Sequence, residues 1–187
     1  MSKEVKLTAM PTPNPNTIKF LVDKVFFEKG SIDFPDSERA KTSPLPDAIF
    51  KVDGIDGVMI GTNFISITKD DAAGWDTVLE PSSEIIKEMI GSDNILFDES
   101  LIKASKESSE NESESITKIK QILDNEIRPA IGMDGGDCEF IAYEDGILTL
   151  QLQGACSNCP SSIMTLKMGI ESRLREEVPD LKEVIQL

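Results

Sequence analysis

The stretch Gly154-Ala155-Cys156-Ser157-Asn158-Cys159-Pro160 decides how this chain folds and what it can do, because it holds two of the three cysteines. Residues 146–153 before it alternate apolar and polar side chains and predict a strand, whereas residues 160–177 carry apolar side chains at helical spacing. A helix N-terminus offers unpaired N–H groups and the positive end of the helix dipole, and both favour thiolate over thiol. We therefore predict a strand, a loop and a helix that present two sulfurs to a soft metal or to a disulfide.

The composition of the chain narrows the possible functions. It has 187 residues, no histidine and a formal net charge of −15. The lack of a basic cluster argues against a nucleic-acid partner, and no apolar run approaches the roughly 20 residues that a membrane span needs. The absence of histidine removes the usual general base and every histidine-containing zinc site. Cysteine is therefore the remaining candidate for metal binding or redox chemistry.

A polar segment divides the chain into two parts. Residues 98–115 contain six serines and six acidic residues and few apolar ones, so they cannot bury enough surface to offset the entropy of ordering. We predict an α+β protein with two small α+β domains, residues 1–97 and 116–187, joined by a flexible acidic Ser-rich linker at 98–115. Such a linker predicts that the two domains move independently.

The pattern of the first domain predicts mixed helices and strands. Three prolines between Met10 and Asn16 predict an irregular turn without regular strand pairing. Residues 58–60 and 64–68 predict a hairpin, and residues 75–90 predict a helix. Four residues near these elements are expected to have turn or core roles rather than roles in surface recognition: Thr12, Asn14, Asn16 and Trp75.

The second domain is predicted to begin with a helix at Ile116. A hairpin should follow, with strands at residues 138–143 and 147–153 on either side of Glu144-Asp145-Gly146. The turn Asp134-Gly135-Gly136-Asp137 has the glycines that a helix-to-strand connection needs, and it could also pack under the cysteine loop.

The number of sulfurs suggests a shared site. Tetrahedral iron and zinc sites take four protein ligands, and one chain offers Cys156 and Cys159. Cys138 lies in a predicted strand, where a small buried thiol is a better interpretation than a third ligand, and Met164 and Met168 suit core or interface packing better than ligation. A two-fold dimer supplies four cysteine ligands, two from each chain. A centre that bridges two chains would be labile, because separating the chains removes half of its ligands. Such lability suits a carrier.

The second domain closely resembles the NifU-like domain, and residues 7–97 look like the N-terminal domain of the same iron-sulfur scaffold proteins. The motifs that carry the first resemblance are Arg128-Pro129, Asp134-Gly135-Gly136-Asp137, Glu144-Asp145-Gly146, Leu152-Gln153-Gly154-Ala155-Cys156, Cys159-Pro160-Ser161-Ser162 and Leu166-Lys167. Those that carry the second are Thr12-Pro13-Asn14-Pro15-Asn16, Ile18-Lys19-Phe20, Ser43-Pro44-Leu45 and Phe64-Ile65-Ser66-Ile67-Thr68.

This resemblance implies a carrier and not an enzyme. It implies that Cys156 and Cys159 of two subunits bind a 4Fe-4S cluster, that an upstream assembly scaffold donates it, and that apo iron-sulfur proteins receive it. The chain departs from the pattern at Cys138, where relatives usually have an apolar residue. The expected location is cytosolic, or the mitochondrial matrix for a processed eukaryotic form.

Two alternatives remain open on the residues alone. A thioredoxin-like oxidoreductase also uses a Cys-x-x-Cys pair at a helix N-terminus, although this domain predicts too few strands for that fold. A structural zinc site across the same dimer has the same ligand count.

Overall fold

The structure is a computed structural model that describes residues 5–92, 94–102, 113–157, 159 and 163–187. It contains two α+β domains, and each has its own hydrophobic core, as the sequence predicts. No helix in the described part of the chain is long and apolar enough to cross a membrane.

The N-terminal domain is a sheet covered on one face by helices. Among the described residues its strands are β1 (Leu7–Pro11), β2 (Thr17–Val22), β3 (Ile32–Phe34), β4 (Ile55–Ile60) and β5 (Phe64–Lys69), all antiparallel in the order β1-β2-β5-β4-β3. Its helices are α1 (Ser37–Ala40), α2 (Pro44–Ile49) and α3 (Trp75–Gly91). The hairpin β4–β5 and the helix α3 agree with the prediction.

The proline-rich stretch differs in part from its prediction. Met10 and Pro11 belong to β1 and pair with Lys19 and Ile18, although regular pairing was not expected there. β1 is the outermost strand of its sheet, and an edge strand tolerates proline because one row of its backbone groups has no strand to bond. Only residues 12–16 form the irregular turn.

The C-terminal domain packs a helical layer on a small sheet. Its helices are α4 (Glu114–Ile122), α5 (Arg128–Met133) and α6 (Ile163–Glu177), with a π-helical turn (Leu123–Ile127) between α4 and α5. Its strands, within the described residues, are β6 (Gly136–Glu144), β7 (Ile147–Gly154) and β8 (Glu183–Gln186), in the order β6-β7-β8. β6 and β7 are antiparallel, and β8 returns parallel to β7.

The β6–β7 hairpin turns where the sequence predicts it. Asp145 and Gly146 both have positive φ, 52° and 84°, which is the combination that a two-residue type I′ turn requires. A Cβ atom at Gly146 would lie 2.5 Å from the backbone oxygen of Asp180, so this turn also needs a residue without a side chain. Leu148, Leu150 and Leu152 of β7 are buried in the domain core, as their alternation predicts.

The two domains pack against each other, which differs from the expectation of independently moving domains. Residues 64–67 of β5 are all buried. Ile65 and Ile67 belong to the core under the helices, whereas Phe64 and Ser66 lie on the opposite face, against the C-terminal domain. The alternation of apolar and polar side chains marks one buried face of a strand. It therefore cannot predict that the opposite face is also buried, against another domain.

The predicted linker is shorter than its sequence boundaries. Leu101 and Ile102 still pack against the N-terminal core, and α4 already begins at Glu114, with Ser113 as its N-cap. Residues 103–112 of the predicted linker lie outside the described residues.

Candidate functional site

The cysteine loop leaves β7 and is held by the turn between α5 and β6. The N–H of Ala155 donates to the backbone oxygen of Gly135 at 3.1 Å. The sulfur of Cys156 lies directly on Gly136, where a Cβ atom would come within 2.4 Å of it. The expectation that the glycine turn packs under the cysteine loop is therefore confirmed.

Both predicted ligands lie in this loop and are covered. Cys156 is 5% exposed and Cys159 is 0% exposed. The Cys159 thiol donates a long, weak hydrogen bond, 3.7 Å, to the backbone oxygen of Pro13 in the N-terminal domain. Both sulfurs of the pair are therefore withdrawn from solvent.

The electrostatics of Cys156 differ from the sequence prediction. Burial raises the pKa of its thiol to about 12, and the nearby charges of Asp134, Cys159 and Asp137 act in the same direction. A helix N-terminus was expected to favour the thiolate, but loss of solvent outweighs that effect when the loop is covered. In this arrangement Cys156 is a neutral thiol at physiological pH.

Cys138 has the role that the sequence favoured. It lies in β6, is 2% exposed and belongs to the core of the C-terminal domain. Burial, together with the charge of Asp137, raises the pKa of this thiol to about 12. It is a small core residue of the C-terminal domain.

A buried ion pair braces the turn beneath the loop. Arg128 donates to Asp137 through Nε at 2.8 Å and through a terminal nitrogen at 2.7 Å, and to Asp124 at 3.2 Å. The hydrogen bond to Asp137 raises the pKa of Arg128 despite burial. Asp137 also accepts from the N–H of Cys138 at 2.8 Å. Arg128 and Asp137 both belong to sequence motifs, but their ion pair was not predicted. The signal that could have indicated it is two opposite charges on either side of a glycine turn.

The polar residues of the N-terminal turn have the local roles that were predicted. The Thr12 hydroxyl donates to the backbone oxygen of Asn14 at 3.0 Å, and the Asn14 side chain accepts from the N–H of Asn16 at 3.0 Å. The indole N–H of Trp75 donates to the backbone oxygen of Pro15, also at 3.0 Å. Asn14 has an additional role that the sequence did not indicate, because its amide reaches the cysteine loop and donates to the oxygen of Ala155 at 3.0 Å.

Two methionines of α6 are exposed on its surface. Met164 and Met168 are 73% and 66% exposed, so packing in the core, one of their two expected roles, is wrong for this chain. A cleft of about 310 Å³ lies beside Cys156, and the apolar side chains of Ile131, Leu166 and Ile170 form part of its wall. Within the part of the chain that the structure describes, no three histidine, cysteine or acidic side chains come together as a metal site.

Together, the fold and the loop define a small two-domain α+β protein with a cysteine pair in the loop after β7. A model of the NifU-like domain matches residues 119–185, and a model of the scaffold protein Nfu/NifU N-terminal domain matches residues 7–93. The chain belongs to the family of Nfu/NifU scaffold proteins that combine these two domains.

Named relatives agree with this assignment. The chain is 41% identical to NifU-like protein 5, mitochondrial, of Arabidopsis thaliana, over 94% of this chain and 65% of the relative. It is 37% identical to the NFU1 iron-sulfur cluster scaffold homolog, mitochondrial, of Drosophila ananassae, over 100% of this chain and 65% of the relative. The chain thus spans about 65% of the length of these two relatives.

A solved structure also matches in part. The solution structure of a NifU-like protein from Saccharomyces cerevisiae is 23% identical, covers 55% of this chain and 87% of its own, and has a TM-score of 0.42.

Proposed function

We propose that this protein is an iron-sulfur cluster carrier that holds a 4Fe-4S cluster between two copies through Cys156 and Cys159 and transfers it to apo-proteins. It acts by binding and release and catalyses no reaction of its own. An upstream assembly scaffold supplies the cluster. The names of the relatives, which include scaffold and mitochondrial, support this role and a setting in the mitochondrial matrix.

One observation supports the shared site above all: each chain has two thiols that can ligate. Of the three cysteines, Cys138 lies within the strand β6, whereas Cys156 and Cys159 lie in the loop after β7, although Cys156 also contacts the domain core; the chain has no histidine. A cluster of this class takes four cysteine ligands, so one chain supplies half of the set. A second copy related by a two-fold axis supplies the same half again. Separating the copies breaks the set, which suits a cargo that must leave.

Anaerobic reconstitution with ferrous iron and sulfide tests this proposal. We expect a brown dimer with about four irons and four sulfides per two chains. Cys156→Ser and Cys159→Ser should each abolish binding while the fold is kept, because serine has nearly the same shape as cysteine but is a poor ligand for a soft metal. A monomer that retains a full cluster would contradict the bridging arrangement.

A matched control comes from the third cysteine. Cys138→Ala removes one thiol, as the other variants do, but should keep the iron and sulfide content. A colourless protein that retains zinc would instead indicate a structural zinc module. A protein that binds neither metal but reduces disulfides would indicate a thiol oxidoreductase.

Transfer is measured separately from binding. The loaded dimer is mixed with an apo iron-sulfur enzyme, and recovery of that enzyme's activity is followed together with loss of iron from the carrier. We expect transfer to be faster than from free iron and sulfide at the same concentrations, because the cluster arrives preassembled.

A further inference from the structure

The proline-rich turn of the N-terminal domain lies over the cysteine loop. The Asn14 amide donates to the backbone oxygen of Ala155 at 3.0 Å, and the Cys159 thiol donates to the backbone oxygen of Pro13 at 3.7 Å. Asn14 is 3% exposed although it belongs to a surface turn. This turn therefore covers the loop and contacts Cys159 directly, whereas Cys156 also packs in the core of its own domain.

A row of residues on the N-terminal sheet continues the contact. Lys19 of β2, Ser66 of β5 and Met59 of β4 are cross-strand neighbours on the face opposite the helices. The Ser66 hydroxyl donates to the backbone oxygen of Gly135 at 2.6 Å. The same oxygen accepts the N–H of Ala155, so a single carbonyl joins the N-terminal sheet to the cysteine loop.

Lys19 and Met59 of this row also contact the C-terminal domain. The Lys19 ammonium donates to the last turn of α5, at the oxygen of Gly132, 2.6 Å away. Gly154 has a positive φ of 60°, and a Cβ atom there would lie 2.8 Å from the sulfur of Met59. Met59 is fully buried by this approach. A side chain at Gly154 would displace the end of the Met59 side chain, so this glycine allows the close approach of the two domains.

A buried polar cluster forms the far side of the contact. The Ser31 hydroxyl donates to Asp137, the carboxylate that forms the ion pair with Arg128. The same hydroxyl oxygen lies 3.3 Å from the side-chain oxygen of Gln153. Ser31, Asp137 and Gln153 are 2%, 6% and 3% exposed. Buried polar groups with directed partners specify one arrangement, because any other arrangement leaves them unsatisfied.

This arrangement is incompatible with a shared cluster. A cluster between two copies must contact the sulfurs of Cys156 and Cys159 from outside the chain, but those residues are 5% and 0% exposed. We propose that the N-terminal domain is a cap on the cysteine pair: the chain closes on itself when empty, and it must open before a second copy can complete the cluster site. This proposal rests on the proposed function. The cap and the second copy compete for the same face of the loop.

Site-resolved alkylation of the reduced, metal-free full chain tests the cap. Asn14→Asp keeps the side-chain oxygen that bonds Asn16 but places a carboxylate against the oxygen of Ala155. We expect N-ethylmaleimide to modify Cys156 and Cys159 about tenfold faster than in the wild type, since a buried donor contact becomes repulsive. A nearby negative charge alone would slow alkylation by disfavouring the thiolate, so acceleration reports exposure.

The controls separate opening from unfolding. Cys138 in the same molecule lies in the C-terminal core, and its slow modification should not change. Asn94→Asp adds the same charge at an exposed site of the N-terminal domain, where the amide bonds Ser92, and should leave all three rates unchanged. Faster modification of Cys138 together with the pair would indicate unfolding.

A second variant keeps the test decisive if Asn14→Asp unfolds. Ser66→Ala removes only the hydroxyl that donates to Gly135, and Ser92→Ala removes a comparable hydroxyl whose partner, Met89, is in the same domain. We expect Ser66→Ala, and not Ser92→Ala, to speed modification of the cysteine pair. Unchanged rates in a folded Asn14→Asp or Ser66→Ala protein would overturn the cap.

Anaerobic loading of the same proteins separates this inference from the proposed function. If both are correct, Asn14→Asp takes up iron and sulfide faster than the wild type and reaches the same final content. If no variant or wild type binds a cluster but the alkylation rates still differ, the thiols are capped and the proposed function fails. If all load equally fast with equal alkylation, the proposed function stands and the cap is wrong.

Discussion

At the scale of single residues, Cys138 shows how burial sets the chemistry of a thiol. It lies within the strand β6 and is packed, together with Cys156 of the neighbouring loop, among the apolar side chains of the C-terminal core. Burial raises its pKa to about 12 from an ordinary value of 9.0, so the folded protein holds this proton more tightly than the unfolded chain does. Stability linked to this group is fully present below pH 9 and is lost as the pH rises toward 12.

We predict that Cys138→Ala flattens the alkaline loss of stability. In the wild type this thiol should lower the free energy of unfolding by at most about 1.4 kcal/mol per pH unit above pH 9. The variant should be less stable than the wild type below pH 9 because it leaves a small cavity, but its stability should fall less steeply above pH 9. Urea unfolding at pH 8 and pH 10.5 measures both. Parallel pH profiles for wild type and variant would contradict the assignment.

The residues of the site were only partly predictable. Spacing and residue type predict Cys156 and Cys159 as ligands, because a close cysteine pair is a local signal, and the structure places both in the loop after β7. The contact between Ser31 and Asp137 joins positions 106 residues apart and depends on how two domains meet, which no local pattern encodes. Asn14 was assigned its turn role correctly, since that role involves only its immediate neighbours.

At the scale of elements, the β6–β7 hairpin shows where sequence patterns suffice. The alternation of apolar and polar side chains and the turn residues are features of neighbouring positions in the sequence. Both predicted strands are therefore present in the structure. The start of β1 in a proline-rich stretch was missed, since an edge position depends on the order of the whole sheet. The second buried face of β5 was missed for the same kind of reason, because what covers it belongs to the other domain.

We predict that Gly146→Ala destabilises the C-terminal domain by about 1–3 kcal/mol, since it strains a positive φ and meets a backbone oxygen. Gly169→Ala is the matched control: this exposed residue of α6 has nothing within 4 Å of a new Cβ atom. Because alanine favours helices, the control should stabilise the domain by up to about 1 kcal/mol. Denaturant unfolding of both variants distinguishes the sites, and equal effects would rule out the turn argument.

At the scale of the whole molecule, two separate cores are joined by a mostly polar interface. Each domain has its own hydrophobic cluster, so each can unfold without the other once the contact is lost. The contact depends on a small number of directed hydrogen bonds, among them those of Ser31 and Ser66. Such an interface couples the domains and can still be opened.

We predict that Ser31→Ala combined with Ser66→Ala uncouples the two unfolding transitions. The single tryptophan of the chain, Trp75, lies in the N-terminal domain, so its fluorescence follows that domain alone. Circular dichroism follows both domains. The two signals should coincide on heating the wild type and separate in the double variant, whereas Ser92→Ala should behave as the wild type. Coincident signals in the double variant would contradict a coupling through these two hydroxyls.

The full burial of the Cys159 sulfur has a consequence for the chemical lifetime of an empty chain. Peroxide attacks thiolates that it can reach, and two exposed thiols from different chains can also join as a disulfide. A pair of thiols that is covered from solvent resists both reactions. If the proposed cap is correct, the same contact that delays cluster binding also protects the thiols of a chain that has not yet bound a cluster.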